Sequence, residues 1–228
     1  MSATSYLRNG VKGMENMANR LFVSARKLVI VAGLAIISSV TRAEATTLWD
    51  ESVSGDLSSV QASPNTFTLS SGTNAVIGTL GGTDHQDWIT LTVPSGLQLG
   101  AVVLAAYSST DQQGFTGVQS GTTFVGSTLS PASYLGYAHF GTGAANGALP
   151  ATNLVGVDIL PIMGDTNLAA GAQGFTPPLN SGSYAFLIQQ TGSAATSYEF
   201  DYVVIPEPAT LALVAIGCGM VLLHRRRV

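Results

Sequence analysis

Few residues in this chain are equipped for chemistry. Between Thr46 and Val204 stand two histidines, His85 and His139, and ten carboxylates: Asp50, Glu51, Asp56, Asp84, Asp87, Asp111, Asp158, Asp165, Glu199 and Asp201. A serine hydrolase needs Ser, His and an acid in contact, and no Gly-x-Ser-x-Gly elbow is present. A spatially assembled triad stays open as an alternative, through His85, in a turn between Asp84 and Asp87, or His139, in the apolar stretch YLGYAHF. Each histidine reads as well without chemistry, His85 as a polar turn and His139 as a packed strand residue. Glycoside hydrolysis needs a carboxyl pair; only Glu51 and Glu199 are glutamates here, and Glu199 alternates outward beside Asp201 as part of a solvated face.

Metal chemistry is narrowed in the same way. Zinc lacks its His/Cys set, whereas hard carboxylate oxygens suit calcium. Asp84 and Asp87 form one candidate pair, and Asp50, Glu51 and Asp56 a second cluster, although no twelve-residue calcium loop is present. A structural calcium is the one cofactor these residues suggest. Trp49, Trp88 and the tyrosines could build a sugar-stacking platform, although aromatics at strand positions are more often core.

Charge excludes other classes. The nine basic residues are Arg8, Lys12, Arg20, Arg26, Lys27, Arg42, Arg225, Arg226 and Arg227, so ten acids in the middle of the chain face no Lys or Arg. Binding a nucleic-acid backbone needs the opposite sign, and no arginine fork is available for phosphate. The single cysteine, Cys218, lies in a C-terminal apolar run, so no disulfide can form between residues 46 and 204. That region must be held by its core, by hydrogen bonds or by bound cations.

The elements that would position these groups have a period of two. Ile89, Leu91 and Val93 share one face and Thr90 and Thr92 the other, and Pro94-Ser95-Gly96 ends the strand with turn chemistry. Ala101 to Tyr107 reads as a more apolar strand suited to a central position. Tyr184, Phe186 and Ile188, then Tyr198, Phe200, Tyr202 and Val204, predict a hairpin across the loop Gly192 to Ser197. Weaker strand candidates are Thr66 to Leu69, Asn74 to Leu80, Thr122 to Val125, Tyr134 to Phe140 and Leu154 to Leu160. Gly141 to Pro150 and Gly164 to Pro178 read as loops, and no helix is expected. With 228 residues, 26 of them glycine and only 10% charged, the pattern predicts an all-β protein, an antiparallel β-sandwich of jelly-roll or Ig-like type over residues 46–204.

Two flanking segments carry addresses. Arg20, Arg26 and Lys27, the apolar Leu28 to Val40 and the small residues of Ala43-Glu44-Ala45 form a secretory signal peptide over residues 1–45, with cleavage after Ala45 and a start at Met14 or Met17 as an alternative. An uncleaved anchor is the other reading. In residues 205–228, Pro206-Glu207-Pro208 makes a break that biases its neighbours to extended backbone. The uncharged residues 209–223 would span about 22 Å as a helix, short of the roughly 30 Å hydrocarbon core, and Arg225, Arg226 and Arg227 would hold the cytoplasmic side.

A tripeptide Pro206-Glu207-Pro208, a short apolar helix and a terminal arginine cluster resemble the PEP-CTERM sorting signal of Gram-negative bacteria. The resemblance implies that the chain is an exosortase substrate: export through the Sec translocon, transit through the inner membrane, then release to the cell surface or extracellular matrix. Trp49-Asp50-Glu51, Gly55-Asp56-Leu57 and Asp84-His85-Gln86-Asp87-Trp88 leading into ITLTVPSG are similar to β-sandwich modules of exported bacterial proteins, including the pre-peptidase C-terminal type. There the module is accessory or binding rather than catalytic. Together the resemblances imply a non-catalytic surface or matrix protein associated with exopolysaccharide and biofilm. A carbohydrate-binding module is the alternative, and a secreted hydrolase with a spatially assembled site a second.

Overall fold

The computed structural model describes residues 45–190 and 192–208. Ala45 is exposed, immediately before the first strand, while Ala43, the apolar run 209–223, Cys218 and Arg225 to Arg227 lie outside the described residues. Among the described residues nine strands and, against the expectation of no helix, two one-turn α-helices and a 3-10 turn at Pro131–Ser133 are present, the strands and α-helices in the order β1 Thr46–Asp50, α1 Glu51–Ser54, β2 Asn65–Thr68, β3 Gly72–Leu80, β4 Gln86–Val93, β5 Leu97–Ser109, β6 Gly114–Ser120, β7 Gly136–Phe140, α2 Leu160–Gly164, β8 Gly182–Gln189 and β9 Thr196–Pro206. Among the described residues no helix is long and apolar enough to cross a membrane.

The all-β expectation holds. The strands form a four-stranded sheet, β1-β3-β9-β5, and a five-stranded sheet, β2-β4-β8-β6-β7. Alternating side chains from both close one core: Val76, Phe200 and Tyr202 from the first meet Ile89, Phe186 and Ile188 from the second. The rings of Phe186 and Tyr202 lie 5.4 Å apart across that core, edge to face. Full burial of each such side chain contributes roughly 1.5–3 kcal/mol, and with no disulfide in this region the core carries most of the load.

Several expectations need correction. Strands β8 and β9 are not a hairpin: β8 pairs with β4 and β6, and β9 with β3 and β5. Their apolar faces look at each other across the core, because alternation fixes which face is buried without fixing which strand lies alongside. Neither sheet is purely antiparallel, since the edge pairs β1/β3 and β2/β4 run parallel. Strand β5 is an edge rather than a central strand. Its apolar character is explained by its cover: Gly156 and Ile159 donate amides to the Leu104 and Val102 carbonyls, and the Asp158 carboxylate accepts from the Val102 amide at 3.0 Å. A covered edge resists pairing with a second chain.

Two strand expectations fall on loops. Thr122 to Val125 forms no strand; instead Phe124 drops onto the outer face of the five-stranded sheet, 5.4 Å from the Trp88 ring. Leu154 to Leu160 turns through Gly156, at φ +81°, and leads into the short helix α2, burying Leu154, Ile159 and Leu160 without a ladder. Apolar residues bury as readily from a loop over a sheet as from a strand within one.

Candidate functional site

The carboxylates that the sequence places in two separate groups meet at one end of the sandwich. Asp50 caps α1, its Oδ1 accepting the Ser52 amide at 2.9 Å. The capped turn projects Glu51 toward β3, where Oε2 accepts from the Thr79 amide and hydroxyl, both at 2.7 Å, and Oε1 from the Leu57 amide at 2.9 Å. Strand β4 lies alongside, the Trp88 amide donating to the Ser58 carbonyl at 2.8 Å. One carboxylate oxygen each from Glu51, Asp56 and Asp87 lie within 4.8 Å of one another. Asp56 is exposed, Glu51 half-buried and Asp87 fully buried.

Asp87 is the unusual member. It is not a turn residue; as the second residue of β4 it alternates onto the face of Ile89, Leu91 and Val93, facing the core between the sheets. Its Oδ2 accepts from the Tyr198 hydroxyl at 2.6 Å, while its Oδ1 is buried without a hydrogen-bond partner. Burial pushes its pKa up to about 8, against the Tyr198 hydrogen bond that favours the anion, with Glu51, Asp84 and Asp56 adding repulsion. Asp84 is displaced upward by burial and then by Asp56 and Glu51. Its Oδ1 is also buried and unpartnered, but it does not join the three-oxygen group. The expected pair Asp84 and Asp87 is therefore only half realised. Asp50 of the second expected cluster spends Oδ1 on Ser52, on both its amide and its hydroxyl.

A second feature lies on the outer face of the five-stranded sheet. Phe115 on β6 pairs with His139 on β7, ring centroids 5.7 Å apart, and Tyr137 lies 5.5 Å from Phe115. All three rings are half-buried, and those of Phe115 and His139 border a cavity of about 220 Å³ whose walls include Gln113, Gln189, Gln190 and Leu129. Among the described residues no serine and no carboxylate lines it. A larger hollow of about 460 Å³ on the same face is lined by Gln119. That amide is already spent, donating to the Val125 and Ser133 carbonyls and accepting from the Val125 amide, so it clasps a loop.

The other sequence candidates go elsewhere. His139 has its pKa lowered by burial and stands in the ring cluster, and the buried Nδ1 of His85 has no partner. Glu199 and Asp201 lie on the outward positions of β9, but both are half-buried with pKa values raised by burial, and Asp201 Oδ1 is buried without a partner, so the solvated-face reading holds only in part. Trp88, Tyr134, Tyr184, Tyr198 and Tyr202 are buried, so a platform built on Trp88 and these tyrosines does not form. Pro206 is the last residue of β9, opposite Leu97, and the Glu207 amide donates to the Gly96 carbonyl at 2.9 Å, so the tripeptide begins docked on the fold.

Sequence reasoning missed Tyr198 as the partner of Asp87, Gly78 as the residue that makes room for it, and Phe115 as the centre of the ring cluster. Gly78 faces Tyr198 in the ladder, and a Cβ there would strike the Tyr198 ring and hydroxyl. The glycine was visible in the sequence; its cross-strand neighbour was not. No protein-family model, curated protein or solved structure matches the chain.

Proposed function

We propose that the chain is an exported, non-catalytic surface or extracellular-matrix protein, released through an exosortase acting at Pro206-Glu207-Pro208 and associated with exopolysaccharide. The observation that carries this reading is a coincidence of boundaries. Among the described residues, the first strand opens at Thr46, directly after the cleavage point read at Ala45, and the last closes at Pro206, the first residue of the tripeptide. One folded unit thus occupies the interval between the two address signals. In this reading the sandwich is the cargo, of the jelly-roll or Ig-like type found in pre-peptidase C-terminal modules, and residues 209–223 with Arg225 to Arg227 hold it in transit at the inner membrane. Replacing Glu207 with Ala should trap the full chain in the inner-membrane fraction; unchanged release to the medium would sink the sorting reading.

The Phe115, Tyr137 and His139 rings favour carbohydrate binding as the cargo's role. Aromatic faces stack on sugar rings and amides such as that of Gln189 pair with hydroxyls, while the lack of any Lys or Arg between Arg42 and Arg225 disfavours anionic glycans. Neutral polysaccharide should retain the protein on a column, and Phe115→Ala should abolish that retention. Retention unaffected by Phe115→Ala would place binding elsewhere.

A further inference from the structure

We infer that Glu51, Asp56 and Asp87 form a calcium site that ties the capped turn after β1 to the inner face of β4. Two observations carry the inference independently of the sorting reading. One is convergence: residues from α1, from the loop after it and from β4 place three carboxylate oxygens within 4.8 Å of one another. Two oxygens bound to one calcium can be no farther apart than about twice the metal–oxygen distance, roughly 4.6 to 5.2 Å, and calcium tolerates an irregular oxygen set, whereas magnesium demands near-ideal octahedral geometry and keeps several of its waters. The other is the unpartnered Oδ1 of Asp87, a buried carboxylate oxygen in a side chain 0% exposed, in a group whose other oxygen is already held by Tyr198.

The charge count supports the same ion. A buried carboxylate without a counter-charge is costly, and the nearby ionisable groups that act on Asp87 are Glu51, Asp84 and Asp56, all of its own sign. No Lys or Arg exists between Arg42 and Arg225 to serve as partner. A divalent cation neutralises the group without help from the chain and gives the orphaned oxygen a ligand role. Glu51 is already oriented by the Thr79 and Leu57 amides, so little side-chain freedom is lost on binding. Asp56, exposed at the rim, would admit the ion and leave room for water among its ligands.

The test uses the full chain in detergent, stripped with EGTA and returned to Ca²⁺, Mg²⁺ or Tb³⁺. A ligand at about 100 times its dissociation constant shifts the folding equilibrium about 100-fold, so Ca²⁺ should raise the unfolding midpoint clearly and Mg²⁺ much less. Terbium should luminesce on excitation of the aromatic band, since Tyr198 is bonded to the proposed ligand Asp87. Asp56→Asn, an exposed and structurally mild change, should abolish both the Ca²⁺ shift and the Ca²⁺-displaceable terbium signal. Glu51→Gln should do the same. A wild-type protein indifferent to Ca²⁺ would overturn the inference, as would a Ca²⁺ shift that survives undiminished in both variants.

Discussion

Without a cation Asp87 poses an energetic problem, and the pH dependence of stability should reveal it. In EGTA the folded protein binds the Asp87 proton more tightly than the unfolded chain does, because burial raises the pKa from an ordinary 3.8 to about 8. Stability is then fully present below the unfolded value and is lost as pH rises toward the folded one. Between those limits the native state holds one extra proton, and each pH unit costs about 1.4 kcal/mol. Across the whole window the loss is about 6 kcal/mol, comparable with the roughly 5–15 kcal/mol by which domains are stable at all. Urea titrations in EGTA at steps between about pH 4 and pH 8 should show a falling midpoint. Asp87→Asn keeps an oxygen for the Tyr198 hydroxyl but cannot ionise, so it should remove about 1.4 kcal/mol per pH unit from the slope. Asp84, Glu199 and Asp201, also shifted upward, contribute the same sign in both proteins and largely cancel in the comparison. Parallel curves for wild type and variant would refute the reasoning, since Asp87 would then ionise as easily folded as unfolded.

Two further substitutions probe the frame around the site. Asn74→Ala removes a buried amide that donates to the Ser70, Gly72 and Tyr202 carbonyls and accepts from the Ser70 amide; a loss of about 1–3 kcal/mol in urea unfolding is expected for the stranded groups, and less than about 0.5 kcal/mol would show that water replaces them. Gly78→Ala drives a methyl group into the Tyr198 ring, so overpacking should cost about 1–3 kcal/mol and weaken Ca²⁺ stabilisation in the same protein; a variant as stable and as calcium-responsive as wild type would contradict the placement of Tyr198 over Gly78.

What the sequence made legible follows from which forces are local. Ile89, Leu91 and Val93 alternate because one face of β4 is buried, and the turn at Pro94-Ser95-Gly96 is written in residue types; both are present. The sheet partners of β8 and β9 were not legible, because Phe186 and Phe200 need only face a core and either arrangement satisfies that need. Trp88 illustrates a second limit. It occupies the outward face of β4, where a polar neighbour such as Thr90 suggests solvent, but Phe124, Tyr134 and Leu187 cover it in a second apolar cluster. The acidic residues were legible as two local groups. Only the folding of α1 against β3, with Glu51 bonded to Thr79 across 28 residues of sequence, joins Glu51 and Asp56 to Asp87.

The docking of the tripeptide determines what a cut there would leave behind. Every buried residue of β9, namely Thr196, Tyr198, Phe200, Tyr202 and Val204, lies upstream of Pro206. Proline has no amide to donate, and the next one, on Glu207, makes the bond to Gly96. A chain ending at Glu207 therefore keeps the whole ladder, and one ending at Ile205 loses a single hydrogen bond worth about 1 kcal/mol together with the half-buried Pro206. A chain ending at Tyr202 also loses Val204, a buried side chain worth roughly 1.5–3 kcal/mol, and the rungs that join Val203 and Val204 to Ala101 and Leu99. Truncation at Glu207 should leave the unfolding free energy from urea titration within about 1 kcal/mol of the full chain, while truncation at Tyr202 should lower it by several kcal/mol, about the sum of the losses above. If the Glu207 truncation unfolded instead, Pro208 or residues after it would be needed by the fold, and a cut at that point could not release an intact cargo.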